Sequence, residues 1–236
     1  MADIVVVHGG WAGGWAWKKM RPLLATLGHT LWAPTLTGLG ERAHLANPST
    51  NLETHIQDVV AAIEIEDLRS VVLVGHSSSG LVAAGTADRL RERIEQIVYL
   101  DAYVPRDGDC LFDLLGLPAQ ALRGIEANAI EGWKIPPRDM PPDTSPEDLA
   151  WATPRRLPQP IRTFDTPVRL RPGELEIPKH YIYCSRSAPG DGFRPFYERA
   201  RTEAGWSAMQ LDASHNPNIT APKALAALLH SIAATS

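Results

Sequence analysis

Val71-Val72-Leu73-Val74-Gly75-His76-Ser77-Ser78-Ser79-Gly80-Leu81 is an apolar run that ends in small residues and then resumes an apolar, helix-spaced pattern. A β-branched run of this kind reads as a strand buried on both faces, followed by a tight turn and a helix over 78–90. A residue at the apex of such a turn sits on strained backbone, and its neighbours two places away must be small to clear the adjoining strand and helix. Gly75 and Ser79 hold those places around Ser77, which makes Ser77 the candidate nucleophile. Taking Ser78 instead would put His76 where only a small side chain fits. The G-x-S-x-G pattern is met imperfectly, because Ser79 replaces the second glycine and Gly80 comes one residue late.

Outward from this strand the same alternation repeats. Strands are predicted over 4–7, 30–33, 70–74, 96–100, 180–184 and 207–211, with helices over 15–27, 52–65, 78–90, 193–204 and 222–234. The pattern predicts an α/β fold: about six mostly parallel strands with helices on both faces. The rhythm breaks between 105 and 176, where Pro136-Pro137, Pro141-Pro142, Pro154, Pro158 and Pro160 forbid long helices and central strands. Phe112, Trp133, Trp151 and several leucines give this stretch apolar surface to bury, so it is expected to pack as an inserted cap, with short helices over 111–117 and 118–130. The core is then 1–104 with 177–236.

The 236 residues, 44% hydrophobic and 21% charged, suit one such domain, and a net charge of −4 offers no basic surface for nucleic acid or anionic lipid. The opening Met-Ala-Asp-Ile-Val-Val-Val-His lacks the pattern of a secretory signal, and no apolar run is long enough to span a bilayer, so a cytoplasmic location is expected. Cys110 and Cys184 are too few for a disulfide framework and lack metal-ligand spacing; no metal or cofactor is expected. The expected partner is a small-molecule substrate, with a homodimer left open.

A serine nucleophile needs a base, an acid and an oxyanion hole. His215, in Leu211-Asp212-Ala213-Ser214-His215-Asn216-Pro217 after the last strand, fits the base. His8 and His76 read as loop-shaping residues. Asp191, in the loop after strand 180–184, is the first choice of acid because the order serine, acid, histidine favours a late carboxylate. Asp101, ending the strand 96–100, is the alternative, whereas Asp212 is too near His215 in sequence. The backbone N–H groups of Ser78 and Gly10, the latter in His8-Gly9-Gly10-Trp11, are the candidate oxyanion donors. Trp11, Trp133 and Trp151 are candidate substrate contacts.

With these residues placed, the chain resembles the small α/β-hydrolases that include plant methyl esterases, hydroxynitrile lyases and bacterial carboxylesterases. The resemblance rests on Val7-His8-Gly9-Gly10-Trp11 with Trp15 and Trp17, on Pro34-Thr35-Leu36-Thr37-Gly38-Leu39-Gly40-Glu41-Arg42, on Gly75-His76-Ser77 and on His215. It implies the α/β-hydrolase fold and a serine-dependent carboxylesterase acting on a small apolar ester, with lyase-like carbon–carbon cleavage or non-catalytic ligand binding as alternatives. The plant lyases carry a lysine soon after the histidine and a threonine in the first loop. Asn216 and Gly9 stand at those places here.

Overall fold

The computed structural model describes residues 1–173, 175–186 and 191–234. The strands in chain order are β1 (Asp3–Val7), β2 (Thr30–Trp32), β3 (Val71–His76), β4 (Ile94–Leu100), β5 (Lys134–Ile135), β6 (Gln159–Pro160), β7 (Lys179–Cys184) and β8 (Trp206–Leu211). Six of them form one all-parallel sheet in the order β2-β1-β3-β4-β7-β8. Because strand side chains alternate, Val5, Val7 and Leu73 pack into one apolar layer while Ile4, Val6, Val72 and Val74 pack into the other. Apolar residues at successive positions are therefore required, and the continuous valine runs follow from a sheet covered on both faces.

Helix Leu52–Ile65 runs over the predicted residues because both its ends are specified. Asn51 caps it, accepting from the Thr54 N–H at 3.0 Å, and Leu52, Ile56, Val59, Val60 and Ile63 supply the buried stripe. The predicted 15–27 helix is instead a 3-10 turn over Gly14–Trp17 followed by helix Met20–Thr26. Pro22 falls in the first turn of that helix, where its missing N–H is harmless.

Between β4 and β7 the chain adds nothing to the main sheet. It forms short helices, among them Leu111–Leu114, Ala119–Ala127 and Pro146–Ala152, and the antiparallel pair β5–β6. The two predicted helices there are shorter than expected: Gly116 and Pro118 separate them, with Gly116 at φ 60°. Cys110 and Cys184 are free and buried. No described helix is long and apolar enough to cross a membrane.

The parallel sheet sets the position of the site. All six strands deliver their C-terminal ends to one edge, which is where β1, β3 and β4 release His8, Ser77 and Asp101 and where the loop after β8 carries His215.

Candidate active site

Ser77 follows β3 directly at φ 59°, a left-handed conformation that holds a non-glycine residue under strain. The turn leaves no room around it. A Cβ on Gly75 would lie 2.7 Å from the Ala83 Cβ, and one on Gly80 would lie 2.0 Å from the Tyr103 carbonyl oxygen. Ser79, in the place of the usual glycine, points its hydroxyl across to donate to the His8 carbonyl at 2.5 Å. The departure from the motif thus ties the turn to the end of β1.

His215 Nε2 lies 2.9 Å from Ser77 Oγ, and His215 Nδ1 lies 2.7 Å from Asp101 Oδ2. Asp101 is 1% exposed, sits at φ 42°, and accepts the Cys184 N–H through Oδ1 at 3.1 Å. The carboxylate against His215 is therefore Asp101, the alternative, and not the first choice, Asp191. The 187–190 part of that residue's loop lies outside the described residues, but Asp191 itself accepts from the Tyr183 hydroxyl and, at 2.9 Å, from the Phe193 N–H. Asp101 is better placed because β4 lies between the strand that ends at Ser77 and the strands that bring His215, so the first residue past β4 is under the imidazole. Both carboxylates satisfy the chain order serine, acid, histidine, which therefore does not discriminate between them. Phe193 stacks on the His215 ring at 4.7 Å and 13°, fixing its other face.

His76 is buried, and its Nε2 lies 2.7 Å from the His215 carbonyl oxygen. Desolvation first, and then the neighbouring His215, pull its pKa down to about 3, so the ring is neutral and its Nε2–H donates to that carbonyl. His8 is similar: burial lowers it to about 4, its Nε2 accepts the Leu36 N–H at 3.1 Å, and its Nδ1–H donates to the Gly9 carbonyl. Each of these imidazoles fixes a loop.

The loop after β1 passes beside Ser77. No protein acceptor engages the Gly10 or Ser78 N–H among the described residues, so both are free to receive an oxyanion. Trp11, at φ 61°, is held from three directions by the segment between β4 and β7. Its N–H donates to Gln159 Oε1 at 2.7 Å, its indole N–H to the Ile135 carbonyl at 3.1 Å, and its carbonyl accepts from the Leu157 N–H at 3.1 Å. Gln159 is buried and donates through Nε2 to Thr163 Oγ1 at 2.9 Å. Of the six described non-glycine residues with positive φ, Trp11, Ser77 and Asp101 are gathered here, which marks the place where the fold spends its strain.

The segment Pro34–Arg42 braces the same loop. Arg42 donates to Thr37 Oγ1 and to Asp58 Oδ1, each at 2.9 Å, while Thr35 Oγ1 accepts the Gly14 N–H at 2.9 Å. His55, also buried, bonds the Thr37 carbonyl and is lowered to about 4 by desolvation.

A cavity of about 1090 Å³ opens over Ser77 and His215. Trp11, Leu111, Phe112, Leu115, Ile125, Ile135 and Phe164 give it apolar walls. Of the three expected tryptophan contacts only Trp11 lines it. Trp151 packs edge-on against Trp15 at 5.2 Å, and Trp133 lies under the Lys134 ammonium at 4.6 Å. Periodicity could not have separated these roles in a segment of short turns. Gln159 was likewise missed: nothing in its sequence neighbourhood distinguishes it from a solvated glutamine.

The buried histidines carry a pH signature. His8, His55 and His76 have ordinary unfolded pKa values near 6.5 and depressed folded ones, so their stabilisation is complete above about pH 6.5 and is lost as pH falls towards 4. By pH 5 roughly 2 kcal/mol is lost for each, and the melting temperature is expected to fall by more than about 10 °C from its value at pH 7. Scanning calorimetry across that window checks this; a flat profile would mean that the rings are not held neutral.

The match to the alpha/beta hydrolase family model extends over residues 4–228. The carbendazim hydrolyzing esterase of Nocardioides sp. (strain SG-4G) is 35% identical over 235 residues, covering 96% of this chain and 97% of its own. Among solved structures, an extracellular alpha/beta-hydrolase from a Paenibacillus species superposes with a TM-score of 0.83 at 26% identity, over 98% of each chain. A pyrethroid hydrolase from Sphingobium faniae JZ-2 shares the fold at a TM-score of 0.77 and 22% identity, over 99% of this chain and 97% of its own. Fold, turn geometry and these likenesses agree: the chain belongs to the alpha/beta hydrolase family.

Proposed function

We propose that this hydrolase cleaves a small, largely apolar ester through an acyl-enzyme on Ser77. The observation that carries the reading is the unbroken hydrogen-bonded chain from Asp101 through His215 to Ser77 at the floor of an apolar cavity. Ser77 Oγ attacks the carbonyl carbon as its proton passes to His215 Nε2, and the carbonyl electrons move onto oxygen facing the Gly10 and Ser78 N–H groups. Asp101 keeps the Nδ1–H tautomer and stabilises the imidazolium. Collapse of the intermediate expels the alcohol, which takes the proton, and His215 then activates water to release the acid. The 105–176 segment acts as a cap that walls the site from solvent.

Lyase chemistry is disfavoured by one contact. A Cβ at Gly9, where the lyases have threonine, would lie 2.9 Å from His76 Nδ1 and 3.1 Å from Ser77 Cβ, so a side chain has no room there. Asn216 reaches Met140 Sδ at 3.8 Å. The test is product analysis with methyl and p-nitrophenyl esters, a cyanohydrin, and carbendazim, on which the Nocardioides relative acts. Acid and alcohol from the esters support the proposal; aldehyde from the cyanohydrin with intact esters would overturn it.

The clamp on Trp11 yields a further expectation. Gln159→Leu leaves the Trp11 N–H without its acceptor, letting the Gly10 loop relax, and is expected to lower kcat about tenfold to a hundredfold with a smaller change in KM. Steady-state kinetics on one p-nitrophenyl ester decides it, and an unchanged kcat would mean that Gln159 does not hold the Gly10 loop in place.

A further inference from the structure

The cavity carries two cations that ester cleavage does not use. Arg138 and Arg156 both line it, and their guanidinium carbons lie 6.0 and 5.8 Å from the centroid of one indole, that of Trp11. Arg156 also donates through Nη1 to the Arg138 carbonyl, drawing the two residues together. Since Trp11 follows Gly10, the pair stands beside the loop that faces the scissile carbonyl.

Neither guanidinium forms an ion pair among the described residues. Arg186, which also lines the cavity, is instead held by Asp212 at 2.8 Å. Of the three aspartates that line the cavity, Asp101 is committed to His215 and Asp191 to Tyr183 and Phe193. Asp139 is exposed and acts on Arg156 only at longer range. Burial pulls the Arg156 pKa below its ordinary value, the sign of a charge that its surroundings do not fully compensate. Two like charges against one ring, at the edge of an apolar cavity, are relieved by an anion, and a planar guanidinium is shaped to receive a carboxylate in two parallel bonds.

We propose that Arg138 and Arg156 form an anion-binding subsite, and that the preferred substrate is an ester bearing a second, ionised group such as a carboxylate at its cap-side end. This rests on the ester-hydrolase reading of Ser77 and adds the substrate class to it. The apolar walls accept the chain between the two carbonyl groups, and the arginines fix its far end.

The experiment compares p-nitrophenyl butyrate with p-nitrophenyl hemiglutarate in wild type, Arg138→Met and Arg156→Met. Wild type is expected to favour the hemiglutarate at least about tenfold in kcat/KM, and each variant to lower kcat/KM for the hemiglutarate about tenfold more than for the butyrate, chiefly through KM. A wild-type preference for the butyrate, or equal losses on both esters, would overturn the subsite while leaving the esterase reading intact. Calorimetric binding of glutarate to Ser77→Ala needs no turnover. Binding that is lost in Ser77→Ala/Arg138→Met supports the subsite even if neither ester is cleaved, and no binding to Ser77→Ala overturns it. The exposed Arg138 gives a variant whose folding is not at stake.

Discussion

Asp101→Asn is expected to lower kcat about 10⁴-fold, the cost of presenting the wrong imidazole tautomer to the nucleophile. The geometry gives the reason. Asp101 Oδ1 accepts the Cys184 N–H, so an asparagine keeps its carbonyl oxygen there and turns its NH₂ towards His215 Nδ1. The imidazole must then accept at Nδ1 and carry its proton on Nε2, where it faces Ser77 Oγ as a donor and cannot take the hydroxyl proton. Asp191→Asn acts only indirectly, through the Phe193 N–H and the ring stacked on His215, and is expected to cost less than about tenfold. Turnover of a p-nitrophenyl ester between pH 6 and 9, with circular dichroism as a check on folding, separates the two. A larger loss in Asp191→Asn than in Asp101→Asn would restore the loop carboxylate as the acid.

Ser77→Ala is expected to abolish turnover by about 10⁵-fold or more, since the residual rate comes from the oxyanion donors and binding alone. Alanine meets the same left-handed strain as serine at φ 59°, so the fold is retained and the loss reports chemistry. Ser78→Ala keeps the backbone N–H proposed for the oxyanion and removes only a hydroxyl, with an expected loss within about tenfold. The pair of variants therefore fixes the register of the turn. Comparable losses in both would reopen the choice between the two serines.

The parallel sheet was legible because strands buried on both faces must be apolar at every position, and 71–76 and 4–7 announce that without ambiguity. Ser77 and His215 were legible for a related reason: each stands just past a strand end, where the topology leaves only a short reach. Which carboxylate faces His215 was not, because Asp101 and Asp191 both follow strands and obey the same chain order; only the lateral order β3-β4-β7-β8 puts Asp101 under the ring. The segment between β4 and β7 was least legible. Its turns have no period to follow, so Trp133 and Trp151 could not be told from Trp11, and Gln159, Arg138 and Arg156 gain meaning only when β6 and its surroundings fold against the loop after β1.

In the proposed reaction Ser77 is a nucleophile activated by His215. Mass spectrometry of the intact protein after exposure to a fluorophosphonate, with peptide mapping of the adduct, reads that activation out. One adduct on Ser77 in wild type, absent from Ser77→Ala and strongly slowed in an otherwise folded His215→Ala, is the predicted result; a folded wild type that stays unlabelled, or that carries the adduct on another residue, would contradict it.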